Sequence, residues 1–232
     1  MLTIKVLPNV YQLMTTGVNV SIIAEEELTL IDAGVPTSLP RILDAIHHLG
    51  RSVEEVGTII ITHNHFDHIG TVPELRQLSG ARVIAHGADL VDAPSQTPYP
   101  GGVRRLLRVP FLHRVRRRFV LEPDDVDVHL TGGEILEPLG GLQVIHTPGH
   151  TPGSITLYSP ERRLAFVGDA MRRRRKALDL PAKAVSTDLE LSVESLKRIA
   201  GLDFDTLVFG HGRPLRRVAH RWLEALMERG GG

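Results

Sequence analysis

The sequence has no cysteine in its 232 residues. Disulfides, thiol nucleophiles, thiolate zinc sites and cysteine-ligated iron–sulfur clusters are thereby excluded. Nor is there an excess of charge: 27 Lys and Arg balance 27 Asp and Glu, so no global field draws the chain to nucleic acid or membrane. No stretch approaches the roughly 18 continuous apolar residues of a membrane span. The opening "MLTIKVLPNVYQLM" alternates like a strand and lacks the apolar core of a signal peptide, so a cytoplasmic location is expected. What remains is ordinary for a globular protein, 42% hydrophobic and 23% charged. A core can form at this length without cross-links.

Short strands come first: "TIKVLPNVYQLM", "VNVSIIAE" and "ELTLIDAG". Helical spacing of Leu39, Ile42, Leu43, Ile46 and Leu49 predicts a helix from Ser38 to Leu49, stopped by Gly50. A strand at "GTIII", a short helix around Pro73–Leu78 and a strand at "ARVIAH" follow. The stretch 88–120 changes character: Pro and Gly lead into arginines interleaved with Leu, Val and Phe. It reads as a loop and an amphipathic helix broken at Pro110. Strands return at "DVDVHL", "EILEP", "LQVIHTPGH", "SITLYSP" and "RLAFVGDA". Asp188 caps a predicted helix through Ile199; "DTLVFGHG" is a last strand, and 214–227 a last helix. The expectation is one domain over 1–232, with a variable basic segment at about 88–120 and a disordered tail at 230–232. The repeated order of strands then helices points to two sheets with helices outside.

One pattern recurs. "GTIIITHNHFDHIG" is an apolar strand ending in His63, His65, Asp67 and His68. "LQVIHTPGH" ends in His150, "LAFVGDA" in Asp169 and "TLVFGHG" in His211. Each apolar strand delivers a His or Asp at its C-terminal end, where a sheet can gather them. His63 and His65, two apart, can share one side of an extended chain, whereas Asp67 and His68 must face elsewhere. That arrangement serves two neighbouring metal ions. An all-nitrogen-and-oxygen donor set suits zinc, and also manganese or iron(II).

These residues resemble a known family. "HNHFDH" matches the H-x-H-x-D-H motif of the metallo-β-lactamase-fold superfamily, and "TPGHTPGS", "GDA", "GHG" and "LIDAG" match its other motifs in order. The resemblance implies an α/β, four-layer αββα sandwich of two mixed sheets flanked by helices. It implies one metal on His63, His65 and His150, and a second on Asp67, His68 and His211. Asp169 would bridge them, and Asp32, not a ligand, would brace the motif loop. Asp67 and Asp169 are the carboxylates it implicates in catalysis. Two Zn2+ ions are expected, with Mn2+ or Fe2+ as alternatives. Ions about 3.5–4 Å apart share a water whose pKa falls from about 15.7 towards 7, giving a bridging hydroxide that attacks a carbonyl.

Other residues carry less. His47 and His48 read as surface residues of a helix, and His86 and His146 as strand-end residues that could support ligands. Asn64 and Phe66 are the motif's variable positions. The run from Met171 to Lys176 starts near the site; it reads as a solvated loop, with an anion grip through Arg172 and Arg173 as the functional alternative. The 104–118 stretch reads as a lid or entrance wall over the site, or else a dimer contact or a helix lying on the sandwich, with Tyr99, Phe111 and Phe119 as candidate pocket residues. The expected partner is a small-molecule substrate, anionic if the arginines grip it; neither nucleic acid nor membrane is expected, and a homodimer is allowed.

The family's small-molecule hydrolase branch, like glyoxalase II or the lactonases, is the leading reading, with a thioester, lactone or ester as substrate. The long C-terminal helical region by which glyoxalase II proteins grip glutathione is not seen. An oxidoreductase resembling the one-iron persulfide dioxygenases is the alternative, and a nuclease a more remote one.

Overall fold

The computed structural model describes residues 3–91, 119–174 and 177–230. Tyr99, Phe111, the expected helix broken at Pro110, and Arg175 and Lys176 lie outside the described residues.

Strands that are apolar at every position must be covered on both faces. The first sheet holds β1 (Thr3–Leu7), β2 (Val10–Met14), β3 (Asn19–Ala24), β4 (Leu28–Ile31), β5 (Val56–Ile60), β6 (Arg82–His86) and β7 (Val128–Leu130), in that spatial order. It is antiparallel from β1 to β4 and parallel from β4 to β7. The second sheet contains β8 (Ile135–Leu136), β9 (Leu142–His146), β10 (Ile155–Ser159), β11 (Leu164–Phe166), β14 (Thr206–Val208) and β15 (Leu215–Arg216). Its order is β15-β14-β11-β10-β9-β8, with only β11 and β14 parallel.

Alternate residues along each strand enter different cores. Ile59 and Ile61 join the cluster under the helices of the first sheet, α1 (Leu39–His48) and α3 (Val72–Ser79). Ile60 points the other way, to meet Ile155, Leu157, Leu164, Phe166 and Val208 between the sheets. Ala165 and Leu207 face a third cluster, shared with Leu196, Ile199, Leu223 and Leu226 of α4 (Leu189–Ala200) and α5 (Ala219–Gly230). The result is helices, sheet, sheet, helices: the expected mixed α/β sandwich.

Local chemistry sets the ends. Asp188 caps α4 by accepting from the Leu191 N–H, as its position before an apolar helix repeat suggests. The last helix begins later than 214, because Leu215 pairs with Leu207 in β15 and Arg217 turns the chain at φ 65°. Gly230 belongs to α5 rather than to a disordered tail. The arginine run is not a plain loop either. Arg172–Arg174 form β12, paired with β13 (Ala177–Asp179), and Arg172 and Arg174 both reach Asp179. A short strand of arginines has no apolar alternation to betray it.

Candidate metal centre

Every candidate ligand follows a strand's C-terminal end on one rim of the sandwich. After β5 the chain bends at Thr62 and His63 and closes a tight turn, the His65 N–H donating to the His63 carbonyl at 3.0 Å; His65, at φ −104° and ψ 147°, then leads into α2 (Phe66–Ile69). His63 and His65 thus stand at the two ends of that tight turn, while Asp67 and His68 sit on the single helical turn after it. His150 follows β9, Asp169 follows β11 and His211 follows β14.

Their donor atoms converge in three overlapping groups: His63, His65 and His150; His63, His68 and Asp169; and Asp67, His68 and His211. Within each group the atoms lie within 4.8 Å of one another. The rings of His63, His65 and His150 form a near-equilateral triangle, with centroids 4.6–4.7 Å apart. Asp169 stands between the groups. Its Oδ2 is 3.6 Å from His150 Nε2 and 3.1 Å from His211 Nε2, and its Oδ1 is 3.6 Å from His68 Nε2. Asp67 Oδ2 lies 3.5 Å from His211 Nε2 and 3.9 Å from His68 Nε2.

The far side of each ring fixes its tautomer. His211 Nδ1–H donates to the Gly17 carbonyl, which can only accept. His68 Nδ1–H donates to Asp32 Oδ2 at 2.8 Å. The Ser186 hydroxyl donates to the Ala182 carbonyl, so His150 Nδ1–H donates to Ser186 Oγ. The Thr62 hydroxyl donates to Asp32, so His63 Nδ1–H donates to Thr62 Oγ1. Nε2 is left facing inward in all four, the arrangement that outer partners of metal-bound histidines impose. The Nε2 atoms of His63, His65, His68 and His150 are buried with no hydrogen-bond partner among the described residues. A buried orphan costs about 1–3 kcal/mol; several of them converging, with two carboxylates, fit a divalent cation.

Electrostatics agree. Burial, reinforced by neighbouring imidazoles, holds His63 and His65 well below the usual pKa, and burial brings His150 down to about 4. These rings are neutral near pH 7, as ligation requires. Burial works against His68 too, but the charges of Asp32 and Asp169 overcome it and raise it to about 10. Asp169 resists burial and falls well below the carboxylate range, held by His68, His211 and His150. His68 therefore carries a proton on Nε2 near pH 7 that a metal must displace. Zinc titration calorimetry in buffers of different ionisation enthalpy should show about one proton or more released per chain. Heats independent of the buffer would contradict this.

Asp32 is buried at φ 62°, a conformation aspartate tolerates better than most residues. It accepts from the Thr62 N–H and hydroxyl and from His68, tying the start of the motif loop to the end of β4. His47 and His48 are exposed on α1. His86 and His146 stack on each other at 4.1 Å, and neither hydrogen-bonds a ligand among the described residues. The arginines are engaged elsewhere. Arg173 donates to the carbonyls of Arg213 and Pro214 and lies over Trp222, while Arg172 pairs with Asp179.

Sequence reasoning missed Asp89 and the role of Asn64. The Asn64 amide donates to the carbonyls of Asp89 and Leu121 and accepts from the Leu121 N–H. It thus fastens the motif loop to chain on both sides of residues 92–118. Phe66, beside it, stacks on Phe119 at 6.3 Å.

Residues 14–211 match the family described as the metallo-beta-lactamase superfamily. The chain belongs to that superfamily. Among its relatives in the superfamily, YflN of Bacillus subtilis (strain 168), named a probable metallo-hydrolase, is 28% identical over 203 residues, covering 80% of this chain and 75% of YflN. A hydroxyacylglutathione hydrolase of Ectopseudomonas mendocina (strain ymp) is 31% identical over 114 residues, 49% of this chain and 32% of that enzyme. The crystal structure of TTHA1429, a metallo-beta-lactamase family protein from Thermus thermophilus, superposes with a TM-score of 0.75 at 26% identity, covering 98% of this chain and 81% of that one. Superfamily membership and the His/Asp groups together imply a divalent metal. No helix among the described residues is long and apolar enough to cross a membrane.

Proposed function

We propose that this chain is a two-metal hydrolase of small-molecule carbonyl compounds: thioesters, lactones or esters. The observation that carries the reading is Asp169, whose carboxylate reaches His150 of one ligand group and His211 of the other. His63, His65 and His150 would hold one ion, Asp67, His68 and His211 the second, and Asp169 both. Zinc suits the donor set, with manganese and iron(II) as alternatives. Bound there, the ions would supply Lewis acidity and water ionised near neutral pH.

The protein's own groups do the rest. Buried imidazoles, fixed through their Nδ1 atoms, keep the ligand geometry before substrate arrives. Asp67 is the more exposed of the two carboxylates facing the centre, and its Oδ2 is turned to His68 and His211 of the second group. The name of the hydroxyacylglutathione hydrolases supports a thioester, but they share only part of their length with this chain. Arg172 and Arg173, on β12 just past Asp169, would meet an anionic substrate only by exchanging their contacts with Asp179 and with the Arg213 and Pro214 carbonyls.

A panel of acyl-glutathione thioesters, lactones and simple esters, assayed with and without a chelator, tests the proposal. Chelator-sensitive turnover of at least one class is expected. Turnover that survives complete metal removal would overturn it.

A further inference from the structure

We propose that Asp89 is the positioning residue of the three-histidine group, setting the metal affinity of His63, His65 and His150 separately from that of the second group. This rests on the two-group reading above. Asp89 is 4% exposed, on the single turn Gly87–Asp89 that follows β6. Its Oδ2 accepts from the Asn64 N–H at 2.9 Å, and Asn64 lies between His63 and His65. The same oxygen accepts from the Thr151 hydroxyl at 2.8 Å, and Thr151 follows His150. Its Oδ1 accepts from the Gly153 N–H. A Cβ on Gly153 would lie 2.6 Å from the Asp89 nitrogen, so this loop lies flush against the turn. One buried carboxylate therefore ties together two loops far apart in sequence that carry all three ligands of one group.

Asp32 is its counterpart. It bonds directly to His68 of the second group and reaches His63 only through Thr62. Asp89 holds backbone and hydroxyl donors rather than an imidazole, so it fixes where the ligands stand and leaves their basicity alone. Asp89→Asn preserves shape, but an amide NH2 must then face one of the N–H groups the carboxylate accepted.

The test uses zinc(II) with a competing chelator as readout, in two backgrounds. In His211→Ala, which keeps the three-histidine group, Asp89→Asn should weaken zinc binding about 10–100-fold, as loss of outer partners of ligands typically does. In His65→Ala, which keeps the second group, the same change should leave the affinity within about threefold. Thr151→Ala, which removes a single donor, should give a smaller loss confined to the same background, and it serves if Asp89→Asn does not fold. Equal weakening in both backgrounds, or none in His211→Ala, would overturn the role. Wild-type protein binding fewer than two equivalents would instead sink the two-metal reading and leave the contrast between backgrounds to judge Asp89.

Discussion

Asp169→Ala should lower kcat/KM by about 1,000-fold or more while leaving the far-ultraviolet circular dichroism unchanged. The carboxylate lies within 3.6 Å of His68, His150 and His211, so on the two-metal proposal its loss would take a ligand from both groups at once. Lewis-acid stabilisation by metal is worth several kcal/mol, and each 1.36 kcal/mol is tenfold in rate, which sets the scale at about 1,000-fold. Asp169 belongs to the loop after β11 and, unlike its neighbours Val167, Ala170 and Met171, is a member of none of the three apolar clusters that carry the fold. A variant keeping more than about a tenth of wild-type activity would remove Asp169 from the centre. A collapsed spectrum would reassign it to folding.

Gly149→Ala should act on stability instead, and more strongly than most substitutions. Gly149 sits at φ 130°, and a Cβ there would lie 2.3 Å from the Ser192 backbone nitrogen in α4. Its carbonyl accepts from the Thr187 and Asp188 N–H groups and the Thr187 hydroxyl, so the strand-to-helix junction cannot slide away. Strain of this kind costs about 1–3 kcal/mol, and the backbone clash adds about 1–3 kcal/mol. A total near 3 kcal/mol lowers Tm by about 6–12 °C in a chain of this size. Because His150 is the next residue, zinc affinity should fall too. A Tm within about 2 °C of wild type would show that the loop has room the structure does not give it.

The seven ligand candidates stood out because four apolar strands each run, just past their C-terminal end, into His or Asp residues that a buried strand would not otherwise lead to. The sandwich was legible because strands covered on both faces read as unbroken apolar runs, as at Thr58–Ile61. Asp89 was not, since "HGADL" looks like any turn and its donors lie 25 and more residues away. Asn64 looked like a variable motif position, because an amide's partners are set by loops that the sequence does not show to be neighbours. The β12–β13 ribbon was hidden because its pairing is held by Asp179 and by carbonyls after β14, not by hydrophobic alternation.

The central claim, two metal ions gathered at one rim of the sandwich, is tested most directly by elemental analysis of protein purified without added metal or chelator. The account predicts close to two divalent ions per chain, zinc foremost. One iron per chain would contradict it and bring the oxidative alternative forward. No metal, with none taken up on reconstitution, would contradict it outright.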